Sequence, residues 1–468
     1  MVTTPTAPPE IRLRPGGQIP VGPPFWPRLF RGGAFRQNGA DFLKSNLDEF
    51  GDLVYFETLG IKTLQFNHPD LIHEMLVRDA PHHHRNLVMQ RSRMILGHGL
   101  LTSEEPLHMR QRRLAQPAFH RQRIGAYAQF ISFYTLKTTA AWQHGALVDV
   151  RADMLLLALR IVGKTLFNTD VESEVHKISA AVDSFMGFLP LAFLPFPMLI
   201  QRLPLPLMRR IRRGRENLDE LIFRMIAERR ADPRDHGDLL SMLLAAEDEE
   251  GGAKGASTKM SDQQIRDECL TVLLAGHETT ANALSFALRL LAAHPEVQEE
   301  LAHQCRSVLQ GRAPEAADYP QLTLAEQVFA EALRLYPPVW VTARTAAESY
   351  AYRGITIQKG TILIAPQFAV HRDPRWFNEP DKFDPARFTP QAKAARPKLA
   401  YFPFGAGNRQ CIGEGLAWME GVLVLATILQ HWRLALPDGQ TGPIRFTPAV
   451  SLRPNGPVAL RVELRTPQ

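Results

Sequence analysis

Three stretches of the sequence predict a mainly α fold with a smaller β region. From 261 to 295 apolar positions recur at helical spacing without a break. Residues from about 120 to 245 repeat that pattern in shorter blocks, including 155–163 and 218–230. Residues 354–366, GITIQKGTILIAP, switch to a two-residue alternation rich in Ile and Thr.

Taken in order, the first thirty residues hold Pro5, Pro8, Pro9, Pro15, Pro20, Pro23, Pro24 and Pro27, which predicts an extended segment lying over a surface. A signal peptide or spanning anchor cannot be built from that pattern. Residues 53–56 and 63–66 are short strand candidates flanked by Gly51, Gly60 and Asn67. The stretch 185–207 is apolar but cut by Pro190, Pro195, Pro197, Pro204 and Pro206, so it is a buried connection, a mobile lid over a hydrophobic entrance or a patch that touches a membrane surface, and not a membrane-spanning helix. A charged, glycine-rich loop at 247–257 precedes the long helix. Ser261 and Gln264 form a capping-box pair at its start, and Pro295 stops it. Residues 354–366 read as two strands with a turn at Lys359 and Gly360, 373–388 as an ordered meander, and a last helix begins near Gly413 ahead of hairpin structure at 444–463.

Composition bounds the function. The chain has 468 residues, with 54 Lys and Arg against 48 Asp and Glu for a formal charge of +6, 45% hydrophobic and 22% charged. Such a chain buries a large core, and its length alone favours two or three domains. Cys269, Cys305 and Cys411 form neither a disulfide framework nor a Cys-x-x-Cys pair, which indicates a reducing compartment and a cytoplasmic protein. No nucleic-acid-binding module surrounds the modest positive charge, so no nucleic-acid partner is expected.

The chemistry concentrates at 404–413, FGAGNRQCIG. A cysteine that presents a thiolate to a metal needs a backbone path for its sulfur, donors that lower its pKa and a cation nearby. Gly405, Gly407 and Gly413 give the path, Arg409 gives charge, and the helix starting after Cys411 directs its free N–H groups at the sulfur. In 275–280, AGHETT, the small Ala275 and Gly276 leave one helix face open, and Thr279 can bond back to the carbonyl of Ala275.

The loop resembles the cysteine-ligand loop of the cytochrome P-450 haem-thiolate monooxygenases, Phe-x-x-Gly-x-Arg-x-Cys-x-Gly, with Phe404, Gly407, Arg409, Cys411 and Gly413 at its five fixed positions. The resemblance runs from about residue 108 to 413. It implies a triangular helical prism with a long central helix, one domain over 1–468 in place of several. It implies a haem b whose iron is held by Cys411, with Phe404 packed beside it. The family's acid-alcohol pair, which relays protons to the reacting oxygen, carries over to Glu278 and Thr279, with His277 as a packing residue. Glu331 and Arg334 match the family's Glu-x-x-Arg element, and Arg387 its third ion, although Ala386 stands where Glu is commoner. The haem propionates fall to His108, Arg112, Arg344 and Arg409, His108 replacing the Trp of many relatives.

The implied reaction inserts one atom of O2 into a lipophilic small molecule, a fatty acid, terpenoid or similar, by hydroxylation or epoxidation. A peroxide-driven peroxygenase or isomerase and a non-catalytic haem sensor share the cysteine loop and stand as alternatives. The 57 residues after Cys411 are too few for a reductase domain, so electrons are expected from a ferredoxin or flavodoxin-type donor with its reductase. The run Arg110, Arg112, Arg113, Arg121 and Arg123 is either a solvated face or the docking surface for such an acidic donor. A monomer is expected. His82, His83 and His84 are adjacent and cannot all face one metal ion. Pocket contributors are expected from 87–100, 185–200, Leu273, 339–342 and 450–452, with Arg91 or Arg93 as a carboxylate anchor at the mouth.

Overall fold

The structure, a computed structural model, describes residues 25–58, 60–168, 178, 206–232, 234–247, 259–440 and 442–465. Most of the 185–207 stretch and of the 247–257 loop, and residues 1–24 of the Pro-rich start, therefore lie outside the described residues. Its longer helices are α1 (Phe25–Phe50), α2 (Leu87–Leu96), α3 (Leu107–Ala115), α4 (Arg121–Thr139), α5 (Val150–Phe167), α6 (Pro206–Ala231), α7 (Leu239–Ala245), α8 (Asp262–Ala293), α9 (Pro295–Leu309), α10 (Thr323–Leu335) and α11 (Glu414–His431).

One expectation fails at the start of the chain. α1 begins at Phe25, so residues 25–30 are helical and not extended. Pro27 lies in the first turn, where a missing N–H breaks no intrahelical bond, so the proline density marks a helix entry there.

The central helix α8 keeps the expected limits. Ser261 Oγ accepts from the Gln264 N–H (3.2 Å) and the Gln264 side chain accepts from the Ser261 N–H (3.0 Å), closing the capping box. Its 32 residues span roughly 48 Å at 1.5 Å per residue, and it packs against α5, α6, α10 and α11. Nearly all of it from Ile265 to Ala292 is buried, charged positions included, as befits the spine of the core.

The β region is a five-stranded sheet in the order β1 (Leu53–Thr58), β2 (Ile61–Phe66), β8 (Ile362–Ala365), β5 (Thr342–Ala346), β3 (His83–Arg85). Residues 354–366 do form two strands, β7 (Ile355–Ile357) and β8, but not a hairpin. β7 pairs with β6 (Tyr350–Tyr352), while β8 runs parallel to β2 and antiparallel to β5. Gly360, at φ +86, turns the chain from one sheet into the other. Near the C-terminus β10 (Phe446–Pro448) pairs with β11 (Leu452–Pro454), and β12 (Ala459–Leu464) lies between β4 (Leu147–Asp149) and β9 (Trp432–Ala435). No described helix is long and apolar enough to cross a membrane.

Candidate functional site

The cysteine loop is held in shape by its own backbone. Gly407 sits at φ +75, and a Cβ there would lie 2.3 Å from the Leu76 carbonyl oxygen, so only glycine lets the loop press on the 74–78 turn. The Phe402 N–H donates to Nε2 of buried His371 (3.0 Å), the Gly405 N–H to the Phe402 carbonyl (2.9 Å), and the Cys411 N–H to the Phe404 carbonyl (2.9 Å). The Phe404 ring packs 5.7 Å from that of Trp418 on α11.

Solvent reaches Cys411, yet protein surrounds it closely enough that burial pushes its thiol up to about 11. The Gly413 N–H opposes that rise, Glu414 adds to it, and Arg112 opposes it. The cation that acts on the sulfur is therefore Arg112 and not Arg409, contrary to the reading of the sequence. Arg409 has found acceptors elsewhere: the Ser103 carbonyl (2.9 Å) and the Glu104 carboxylate (3.0 Å). Arg112 donates to the Gln410 carbonyl at 2.7 Å, one residue from the sulfur.

Behind the loop lies a buried ion cluster. Glu331 and Arg334 on α10 are both 0% exposed and pair at 2.6 Å, and Arg387 approaches Glu331 at 3.6 Å. Arg334 also donates to the His371 carbonyl (2.8 Å) and to the Pro380 carbonyl (2.6 Å). Because His371 receives the Phe402 N–H, the cluster reaches the cysteine loop in two steps, and removing one ion would leave the other buried and unpaired.

A second cluster is cationic. Arg344 on β5 stands in register with Arg85 on β3. Burial, followed by Arg409, lowers the Arg344 pKa to about 10; burial, followed by Arg344 and Arg409, holds Arg85 well below its usual range. His108, 1% exposed, sets Nδ1 2.9 Å from Glu105 and is pushed down to about 4 by burial and then by Arg409. Arg93, with Arg91 a candidate carboxylate anchor, donates to the Thr102 carbonyl (2.9 Å) and Glu104 (3.3 Å). Arg85, Arg93, Arg344 and Arg409 thus share Glu104 and Glu105, and Arg85 Nε is buried with no hydrogen-bond partner. Arg85 was missed in the sequence; its register with Arg344 is the signal, and it becomes visible only in the sheet. His82 and His83 engage Tyr350, the one by stacking and the other through its hydroxyl at 2.7 Å.

On α8 the buried surface opens at Ala275, with Gly276 and Thr279 partly exposed beside it. Thr279 Oγ1 donates to the Ala275 carbonyl at 2.6 Å, as expected. Gly276 has a different use: a Cβ there would meet Val162 Cγ2 at 2.9 Å, so its missing side chain admits α5. Glu278, the neighbour of Thr279 in sequence, is buried; burial raises its pKa against the hydrogen bonds and charges of Ser451, Arg453, Arg151 and Asn282, and among the described residues its Oε2 has no hydrogen-bond partner.

The family model for cytochrome P450 matches residues 20–461. The chain belongs to the cytochrome P450 family. Among curated relatives, this P450 is 38% identical to cyclooctatin synthase of Streptomyces melanosporofaciens, over 90% of both chains. It is 34% identical to pentalenene oxygenase of Streptomyces avermitilis, over 90% of this chain and 92% of that one. A crystal structure of the cytochrome P450DA haem domain superposes with a TM-score of 0.80 at 27% identity, covering 91% of this chain and 93% of that one. The P450 fold expected from the cysteine loop is therefore the fold found. The protein is a haem-thiolate monooxygenase that places one atom of O2 in a lipophilic small molecule, with electrons from redox partners.

Proposed function

We propose that Cys411 is the axial thiolate of a haem b, that His108, Arg112, Arg344 and Arg409, joined by Arg85, hold its propionates, and that the substrate is a terpenoid. The observation that carries the haem reading is the cationic cluster. Its buried arginines outnumber the carboxylates they share, and Arg85 Nε lacks an acceptor. Two propionates would supply both the missing charge and the missing acceptors.

Bound haem supplies the reductive activation of O2 and the transfer of one oxygen to carbon, the other leaving as water. The chain's own residues do the rest. The Gly413 N–H and Arg112 favour the ionised sulfur of Cys411. Thr279, its proton given to the Ala275 carbonyl, turns its oxygen lone pairs to the opening on α8. Glu278, raised by burial, retains a proton more readily than a surface carboxyl and acts as the store that resupplies the Thr279 side of the helix. Buried Ser451 and Asn282 orient it.

The terpenoid reading rests on the relatives' names, cyclooctatin synthase, pentalenene oxygenase and cyclooctat-9-en-7-ol 5-monooxygenase. We assign electron delivery to a ferredoxin or flavodoxin-type protein docking at the arginine run around Arg113, and take the enzyme to be a cytoplasmic monomer. The absorption spectrum of the reduced, CO-bound protein tests the ligand: a strongly red-shifted band is expected, abolished by Cys411→Ser. Spectral titration with cyclic terpenes, fatty acids and steroids tests the substrate class. Tighter binding of fatty acids or steroids than of any terpene would overturn it.

A further inference from the structure

The segment from Gly97 to Ser103, between α2 and α3, is fastened to the central helix by two adjacent carboxyl groups. Asp267 Oδ2 accepts the His98 N–H at 2.7 Å, and Glu268 Oε2 accepts the Leu100 N–H at 2.9 Å. The contact is close enough to forbid side chains. A Cβ on Gly97 would lie 2.1 Å from Asp267 Cγ, and one on Gly99 would lie 2.3 Å from Thr271 Oγ1. The segment is also braced internally, Thr102 Oγ1 donating to the Gly97 carbonyl at 2.7 Å.

The position of this fastening gives it a role. Glu268, Thr271, Ala275 and Thr279 follow at intervals of three, four and four, so they lie along one face of α8, the face that opens at Ala275 and Thr279. At its other end the segment is tied to Arg93 through the Thr102 carbonyl and to Arg409 through the Ser103 carbonyl. It therefore runs from the open face of the central helix to the cationic cluster of the cysteine loop. Arg266 adds a tie from the outside, pairing with Asp219 on α6 and with Asp267 (2.9 Å).

Glu268 is the unusual member. It is 1% exposed and, among the described residues, meets no cation and leaves Oε1 buried without a hydrogen-bond partner. Burial, with Asp267 as the neighbouring charge, pushes its carboxyl up to about 8. A neutral carboxyl retained in the core for one backbone N–H is a costly way merely to fill space.

We propose that Glu268, with Asp267, is the latch that keeps Gly97–Ser103 as a fixed wall of the substrate cavity, so that Glu268 positions substrate without touching it. The inference rests on the proposed haem site between the cysteine loop and α8.

The test is hydrogen exchange of the haem-loaded enzyme, read on peptides covering 97–103, for wild type, Glu268→Ala, Glu268→Gln and Gly99→Ala. Glu268→Ala is expected to speed exchange of that segment about tenfold or more, as for a lost buried hydrogen bond, with α11 unchanged. Glu268→Gln keeps the acceptor and is expected to stay near wild type. Gly99→Ala leaves the carboxyl but forces the segment off Thr271, and is expected to behave like Glu268→Ala. Dissociation of 4-phenylimidazole from the haem, followed optically, is expected to quicken in the same two variants. Unchanged exchange at 97–103 in Glu268→Ala, or a rise spread equally over α11, overturns the latch. Loss of the thiolate CO band in the wild type would instead overturn the haem reading, independently of the exchange result.

Discussion

Glu420 on α11 offers a direct measurement of what burying a carboxyl costs this fold. The residue is 1% exposed, its Oε1 has no hydrogen-bond partner, and burial alone pushes its carboxyl from 4.5 up to about 8. An acid whose folded pKa is raised keeps its proton in the native state while the unfolded chain releases it. Stability is therefore fully present below 4.5 and falls as pH rises through the window to about 8. At about 1.4 kcal/mol per pH unit, the loss reaches roughly 3.4 kcal/mol at pH 7 and about 4.4 kcal/mol at pH 8, approaching a ceiling of about 4.8 kcal/mol only at higher pH. Glu420→Gln removes the titration and preserves the shape. Any fixed difference in amide packing shifts the variant by a constant, so the slope with pH is the diagnostic. Urea unfolding of the haem-loaded proteins, followed by circular dichroism at pH 5.5, 6.5 and 7.5, is expected to show the variant's relative stability growing by roughly 2.5 kcal/mol over those two units. A difference that stays constant over that range would mean that the carboxyl titrates normally in the native state, and the burial argument would fail.

Other substitutions separate the site into its parts. Thr279→Ala should leave the reduced CO band in place but lower the product formed per electron pair consumed, measured as product against reductant; unaltered coupling would remove Thr279 from proton delivery. Arg85→Ala should speed haem loss to apomyoglobin about 10- to 100-fold, the equivalent of one or two charge-assisted hydrogen bonds, and an unchanged rate would exclude Arg85 from the propionate set. Arg334→Leu strands Glu331 and should cost about 3–5 kcal/mol in denaturant unfolding, with the double change Glu331→Leu and Arg334→Leu costing clearly less. Joint reversal of Arg110 and Arg113 to Glu should slow reduction by an acidic donor at low salt and flatten its salt dependence.

What the sequence revealed, it revealed where the cause is local. The limits of α8 follow from a capping box and a proline within two residues of its ends, and the cysteine loop declares itself through five positions in ten residues. Pairing across distance was harder to read. Residues 354–366 look like a hairpin because alternation and a turn are both present, but partners are chosen in the sheet, and β8 prefers β2 and β5. Arg85 has no motif of its own, since its role arises from facing Arg344 across β3 and β5. Arg409 and Arg112 were both expected near the haem edge, yet their division of labour depends on which carbonyls each can reach. Gly276, read with Ala275 as leaving one helix face open, also makes room for Val162, a contact set by how α5 crosses α8.

The geometry also joins haem binding to folding. β3, β5 and the cysteine loop each deliver a cation to one buried place, and burial there depresses Arg85, Arg344 and Arg409, with Arg344 and Arg409 each opposing the charge on Arg85. Glu104 and Glu105 offset part of that repulsion, and two propionates would offset the rest. Any anion that binds the assembled cluster but not the unfolded chain stabilises the fold by mass action. Arg409 makes the coupling specific: it sits two residues from Cys411 and grips Ser103 and Glu104. A propionate that held Arg409 would therefore also restrain the cysteine loop and, through Ser103, the end of the Gly97–Ser103 segment. Substitutions at Arg409 should thus weaken haem retention and loosen Gly97–Ser103 together, whereas those at Arg344, whose side chain among the described residues donates to the Ala343 carbonyl and not to that segment, should affect retention alone.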